Sequence, residues 1–196
     1  MLEVKDATIA IGGKTLATGL SFIARDGQLT CITGSEGSGK TALIRTLMGF
    51  LPVSSGFVSV DGELLTVRSA HAFRSMMVYL PQQMQELRNH QYPDACLQSY
   101  DADEYGVWNA LLPSAAKEQL SEPLSPEEIF QLVQKTLEGA KDKPIVIADE
   151  PAALLTSELS LQMLQLLRSQ ADAGKTVLIA SRKQQLVAYA DQVINL

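Results

Sequence analysis

Cysteine is scarce in this chain: Cys31 and Cys96 are the only two, too few for a disulfide framework. Cys31 falls in the apolar run LTCIT, where a small buried thiol fills a core, and neither cysteine is assigned chemistry. Basic charge is also in deficit. Against 22 Asp and Glu stand 16 Lys and Arg, a formal net charge of −6, and no local basic run offsets it. Nucleic acid is therefore not an expected partner. Long apolar runs are missing too, since no stretch approaches the roughly 18 uncharged residues of a membrane span. The opening MLEVKDATIAIGG has no basic segment followed by an apolar one. These absences predict a cytosolic chain with an acidic, solvated surface. Internal repeats and low-complexity tracts are absent as well.

What is present fits one domain with an appendage, since 196 residues that are 46% apolar close a single sizeable core. Leu2 to Ile11 and Leu20 to Ala24 alternate apolar and polar residues around Gly12-Gly13, which predicts an antiparallel hairpin. Phe57 to Val60 and Glu63 to Val67 flank Asp61-Gly62, a pair suited to the positive φ of a tight turn. Short apolar strands are predicted at Leu29 to Thr33, Met76 to Leu80, Ile145 to Ala148, Thr176 to Ala180 and Val193 to Leu196. Helices are predicted at Thr41 to Met48, along the face Ile129, Leu132, Val133 and Leu137, and at Ser157 to Ala173 before Gly174. Strands and helices alternating at this spacing give an α/β fold with a parallel-sheet core. Between Gln82 and about Pro126 the pattern is polar, acidic and irregular, with one apolar patch at Val107 to Leu112. Residues 84–140 are read as a reduced helical subdomain inserted into a single domain spanning 1–196.

The sharpest motif is GSEGSGKT: Gly34, Ser35, Glu36, Gly37, Ser38, Gly39, Lys40 and Thr41. A predicted strand enters it and a predicted helix leaves it, which is the context a phosphate-binding loop requires. Its glycines let successive backbone N–H groups face phosphate oxygens, and the helix N-terminus adds its dipole to the same anion site. Lys40 is placed for the β- and γ-phosphates, and the Thr41 hydroxyl for Mg²⁺. The second half of such a site is a carboxylate ending a buried strand, which PIVIADEP supplies as Asp149 for the metal's water shell. Glu150 follows directly, placed as a general base for water.

These residues resemble the ATP-binding cassette family over essentially the full length. GSEGSGKT looks like its Walker A, IVIADEP its Walker B with catalytic Glu150, and VYLPQQ its Q-loop with Gln82. The resemblance implies a P-loop NTPase fold with an N-terminal antiparallel β-subdomain. It also implies a nucleotide set of residues 34–41 with Ile11, a metal set of Thr41, Gln82 and Asp149, and a catalytic set of Glu150, Gln82 and Arg182. Mg²⁺ is the implied cofactor and ATP the substrate.

The chain also departs from that pattern. Ile11 stands where the family places an aromatic ring on adenine, and it gives apolar contact without stacking, so little base selectivity is expected. VLIASRK puts Arg182 at the family's switch-histidine position, a permanent cation in place of a titratable one. Thr156 stands at the family's D-loop aspartate. The signature LSGGQ is replaced by LSPEE, Leu124 to Glu128. Pro126 removes a backbone donor, and Glu127 and Glu128 bring negative charge that costs about 4 kcal/mol per pair at about 4 Å from a phosphate in an effective dielectric near 20. The stretch reads better as a helix cap, with Ser125 at N-cap, Pro126 at N1 and Glu128 closing a capping box.

The expected function is that of an ATP-binding subunit, peripheral on the cytoplasmic face, driving a separate integral membrane permease. The isolated chain is expected to be a poor ATPase, and a second ATPase subunit with an intact signature is a candidate partner. The alternatives are a nucleotide-gated regulatory module and a degenerate half of a heterodimer. A small-molecule kinase would want an Arg-rich lid, whereas residues 84–126 hold one arginine, Arg88. A chromosome ATPase would need a long heptad-bearing insertion, which the sequence lacks.

Overall fold

The apolar runs pair as a five-stranded parallel sheet in the order β6-β7-β8-β3-β9. The computed structural model describes residues 1–84 and 123–196. In it β3 is Leu29–Thr33, β6 Met77–Leu80, β7 Ile145–Asp149, β8 Thr176–Ala180 and β9 Gln192–Asn195. A second, antiparallel sheet, β2-β1-β4-β5, comprises β1 Leu2–Ile11, β2 Lys14–Ala24, β4 Ser55–Val60 and β5 Glu63–Leu64. Five helices are described: α1 Lys40–Leu47, α2 Ala70–Ser75, α3 Pro126–Gly139, α4 Ser157–Asp172 and α5 Gln184–Ala188. Cys96, the patch 107–112 and most of the expected 84–140 insertion lie outside the described residues.

Alternation along β7 explains why its sequence is apolar throughout. Ile145 and Ile147 enter one core with α1, β1 and β4, whereas Val146 and Ala148 enter the other with α3 and α4. A parallel strand covered on both faces has no solvent side to mark with polar residues. Ile129, Val133 and Leu137 of α3 belong to the second core, so this helix packs on the main sheet.

Register positions the site. Asp149 pairs with Ala180, and Ala180 pairs with Ile32, so three neighbouring strands end at one level. Glu150 N–H donates to Ala180 O at 2.8 Å and Ser181 N–H to Ile32 O at 2.9 Å, holding the departing loops together. The carboxyl edge of a parallel sheet is where such folds bind ligands.

Three features differ from the sequence reading. β5 stops at Leu64 instead of reaching Val67, because Thr66 and Ser69 form a reciprocal side-chain turn, Thr66 N–H to Ser69 Oγ at 2.8 Å and Ser69 N–H to Thr66 Oγ1 at 3.2 Å. That turn launches α2, which the sequence reading missed. α5 was missed as well, since five residues carry too little periodicity.

Both expected capping residues of LSPEE do cap. Glu128 N–H donates to Ser125 Oγ at 3.2 Å, Ser125 N–H donates to Glu128 Oε2 at 2.8 Å, and Pro126 sits at the first helical turn. Thr156, at the D-loop position, caps α4 by accepting from Leu159 N–H at 3.3 Å.

Candidate functional site

The loop 34–39 turns from β3 into α1 through Gly39, whose φ of 103° is left-handed and whose place at the helix N-cap leaves no side-chain cap. A Cβ on Gly39 would also meet the Leu16 side chain at 3.0 Å. Glycine here serves conformation and close approach together. The result is a helix N-terminus of free amides aimed into a cleft, the opposite of the self-capped start of α3. The Ser38 hydroxyl is buried with no hydrogen-bond partner, an orphan that a phosphate oxygen would satisfy. Lys40, 7% exposed, curls back to donate from Nζ to Gly34 O at 2.9 Å and Ser35 O at 2.8 Å.

The cleft measures about 310 Å³ and runs from this loop to the ends of β7 and β8. Glu36, Gly37, Gly39, Lys40 and Thr41 line one side of it, and Gln82, Asp149, Glu150 and Arg182 the other. Of the sequence-predicted residues, four are outside this lining: Gly34, Ser35 and Ser38 of the loop, and Ile11. Ile11 ends β1 at 37% exposure, opposite Lys14 across the hairpin. Leu16, next along that hairpin's return strand, lines the cleft instead. Sequence reading missed Leu16 because its placement depends on contact with Gly39 across 23 residues of chain.

Asp149 is 1% exposed, and neither carboxylate oxygen has a hydrogen-bond partner. Burial pushes its pKa above the ordinary carboxylate value, and the Glu150 charge adds to this, while the facing Thr41 hydroxyl and the cations Arg45 and Lys40 pull it down. An orphaned buried carboxylate beside a threonine hydroxyl fits an incoming cation. Among the described residues no cluster of three His, Cys, Asp or Glu would hold a metal alone. The donor set therefore suits a hard ion that arrives with water and phosphate ligands, as Mg²⁺ does.

The orphan state has a stability consequence. A raised carboxyl pKa means that the folded chain holds the proton more tightly than the unfolded one. The destabilisation is absent below the unfolded value near pH 4, grows as pH rises through the folded pKa, and is complete above it. Asp149→Asn should raise the melting temperature of the nucleotide-free chain at pH 7 by about 2–4 °C, equivalent to about 1 kcal/mol, with the gain shrinking toward pH 4. Scanning calorimetry at both pH values checks this, and a lower melting temperature for the variant at pH 7 would refute it.

Glu150 follows at φ 46°, left-handed for a non-glycine residue and so a strained position kept at a site. Its Oε2 accepts from Ser181 Oγ and Arg182 N–H, each at 3.4 Å, and its Oε1 from Arg182 Nε at 3.2 Å. Arg182 also donates from Nη1 to Glu36 Oε2 at 3.2 Å. The residue at the switch position thus spans from the general-base candidate to the phosphate loop. Ser181 was not anticipated, although it adjoins Arg182 in ASRK. Behind the site, burial pushes the Cys31 thiol up to about 11, the Glu150 charge adding to it, which keeps that cysteine protonated and unreactive.

A glycine loop opening a helix, an orphaned aspartate ending the next strand but one, and an antiparallel sheet alongside together define a P-loop cassette. The chain belongs to the ABC transporter family, whose family model matches residues 17–160. A putative ABC transporter ATP-binding protein of Treponema denticola is 30% identical over 90% of this chain and 36% of its own length. The chain spans 24% and 38% of two further relatives, both ATP-binding/permease proteins, and so corresponds to less than half of each of these three. A putative hemin import ATP-binding protein of Staphylococcus epidermidis is 27% identical over 100% of this chain and 96% of its own length. Among solved structures, a nucleotide-free ATP-binding cassette from an ABC transporter shares the fold at a TM-score of 0.73 and 19% identity, covering 100% of this chain and 87% of that one.

Proposed function

We propose that this chain binds Mg·ATP and hydrolyses it to drive an integral membrane permease on whose cytoplasmic face it docks. One observation carries the reading: unsatisfied groups of opposite character, the uncapped N-terminus of α1 and the Asp149 carboxylate, line a single cleft. That arrangement suits an anion and a cation bound side by side. The residues of 34–41 would wrap the β-phosphate, with Lys40 exchanging its loop carbonyls for the β- and γ-phosphates. Thr41, Asp149 and Gln82 would hold Mg²⁺, which when bound neutralises charge on the β- and γ-phosphates. Glu150 would accept the proton of the attacking water, while Arg182 and Ser181 hold its carboxylate in place. Leu16, which lines the cleft, would offer apolar contact to a nucleoside.

Among the described residues no helix is long and apolar enough to cross a membrane. Relatives whose names specify ATP-binding subunits, of hemin import and of an energy-coupling factor transporter, support a membrane partner supplied by another chain. Cargo would be chosen by that partner. The self-capped start of α3 favours a second reading within the first, in which this chain is one half of a pair whose other ATPase carries an intact signature. Phosphate release from Mg·ATP should be slow for the isolated chain. It should rise at least tenfold after co-purification with the membrane protein encoded beside it and any second ATPase encoded there. An unchanged rate in the assembled complex would refute the transport reading.

A further inference from the structure

We propose that Glu36 sets the preference of the site between nucleoside diphosphate and triphosphate by competing with the third phosphate for Arg182. The proposal rests on the reading of the cleft as a nucleotide site. Arg182 holds two carboxylates at 3.2 Å each, Glu150 through Nε and Glu36 through Nη1. The two bonds are unequal. The Glu150 side chain is 8% exposed and is also bonded by Ser181 Oγ and the Arg182 N–H, so it anchors the guanidinium. The Glu36 side chain is 90% exposed on the phosphate loop, and an ion pair so open to water is cheap to exchange.

A nucleotide whose phosphates lie along the loop places its second phosphate at the α1 N-terminus and Lys40. The third would continue across the cleft toward the wall that Asp149, Glu150 and Arg182 line. Arg182 stands on that wall, with its Nη1 held by the exposed Glu36. A phosphate offers the guanidinium a doubly charged, bidentate acceptor, which outcompetes one solvated carboxylate. Triphosphate binding therefore breaks the Arg182–Glu36 pair, and diphosphate binding leaves it intact. Charges lining the cleft among the described residues are Glu36, Lys40, Asp149, Glu150 and Arg182. Of these, Glu36 is the most open to water, its side chain 90% exposed against 49% for Arg182 and 8% for Glu150. Its carboxylate is a counterweight to the third phosphate, built into the phosphate loop itself.

The test is calorimetric titration of the full chain, with Mg²⁺, by ADP and by a non-hydrolysable ATP analogue. It compares wild type, Glu36→Gln, Arg182→Gln and the double variant. Glu36→Gln should raise the triphosphate-to-diphosphate affinity ratio by about twofold to fivefold, the range spanned by an exposed ion pair. In the Arg182→Gln background the same change should leave the triphosphate-to-diphosphate ratio unmoved. An unchanged ratio in Glu36→Gln, or an equal gain in both backgrounds as bare repulsion would give, overturns the proposal. If Arg182→Gln does not fold, Arg182→Met, which keeps a side chain of similar length and has no cation for Glu36 or phosphate, takes its place in the cycle. A wild-type chain that binds neither nucleotide overturns the reading of the cleft and this proposal with it. Binding with an unchanged ratio overturns this proposal alone.

Discussion

Lys40→Ala is expected to weaken ATP binding by at least about a hundredfold. Lys40 is the lone cation of the phosphate loop, and in the nucleotide-free chain its Nζ is already desolvated against Gly34 O and Ser35 O. Exchanging those neutral acceptors for phosphate oxygens replaces two ammonium–carbonyl hydrogen bonds with ammonium–phosphate ones, in which both partners are charged, worth about 1.5–3 kcal/mol each. Losing both costs about 3–6 kcal/mol, and every 1.4 kcal/mol is tenfold in affinity. The variant also removes the clasp that ties the loop together, so its loop carbonyls fall back on solvent. The fold should survive, because the cores on both faces of the parallel sheet hold no part of the Lys40 side chain. Titration with ATP checks the prediction, with thermal melting as the control. Affinity within fivefold of wild type would remove residues 34–41 from the phosphate-binding role.

Much of this site was legible in the sequence because its parts are local. The glycines, Lys40 and Thr41 fall within eight consecutive residues, and Asp149 and Glu150 follow a run of four apolar residues, Ile145 to Ala148, that are all buried. The Ser125 cap was equally local, acting on an amide three residues ahead, whereas the similar cap at Thr156 was not anticipated. What could not be read were contacts between distant segments. The Arg182–Glu36 pair joins residues 146 apart, and nothing in either neighbourhood names the other. The replacement of Ile11 by Leu16 in the cleft follows from which hairpin residue the Gly39 turn approaches, a matter of packing between two sheets. The short helices α2 and α5 escaped for a different reason: they are fixed by neighbouring turns and not by a periodic apolar face.

Glu150→Gln is expected to stay monomeric with Mg·ATP when the chain is alone, and rebuilding three residues should change that. The family resemblance implies that ATP closes two subunits head to tail, with the signature helix of one meeting the γ-phosphate of the other. A helix N-terminus performs that task only if its amides are free. In this chain Ser125 N–H is taken by Glu128 Oε2, Glu128 N–H is taken by Ser125 Oγ, and Pro126 has none. Glu127 and Glu128 add two negative charges in the first turn of α3. At about 4 Å from phosphate, each pair costs about 4 kcal/mol in an effective dielectric near 20, more than one remaining amide returns. Closure of a homodimer meets this twice, once at each site. Substituting Pro126→Gly, Glu127→Gly and Glu128→Gln returns an N–H at position 126 and removes both charges, while the Ser125 cap stays, since glutamine also completes a capping box. In the Glu150→Gln background, where hydrolysis is blocked, the rebuilt chain should dimerise with Mg·ATP at least about a hundredfold more tightly than the unmodified one. Light scattering reads both. Robust ATP-dependent dimers of Glu150→Gln with LSPEE intact would show that this helix start still meets the partner's nucleotide, and the need for a second, different ATPase would disappear.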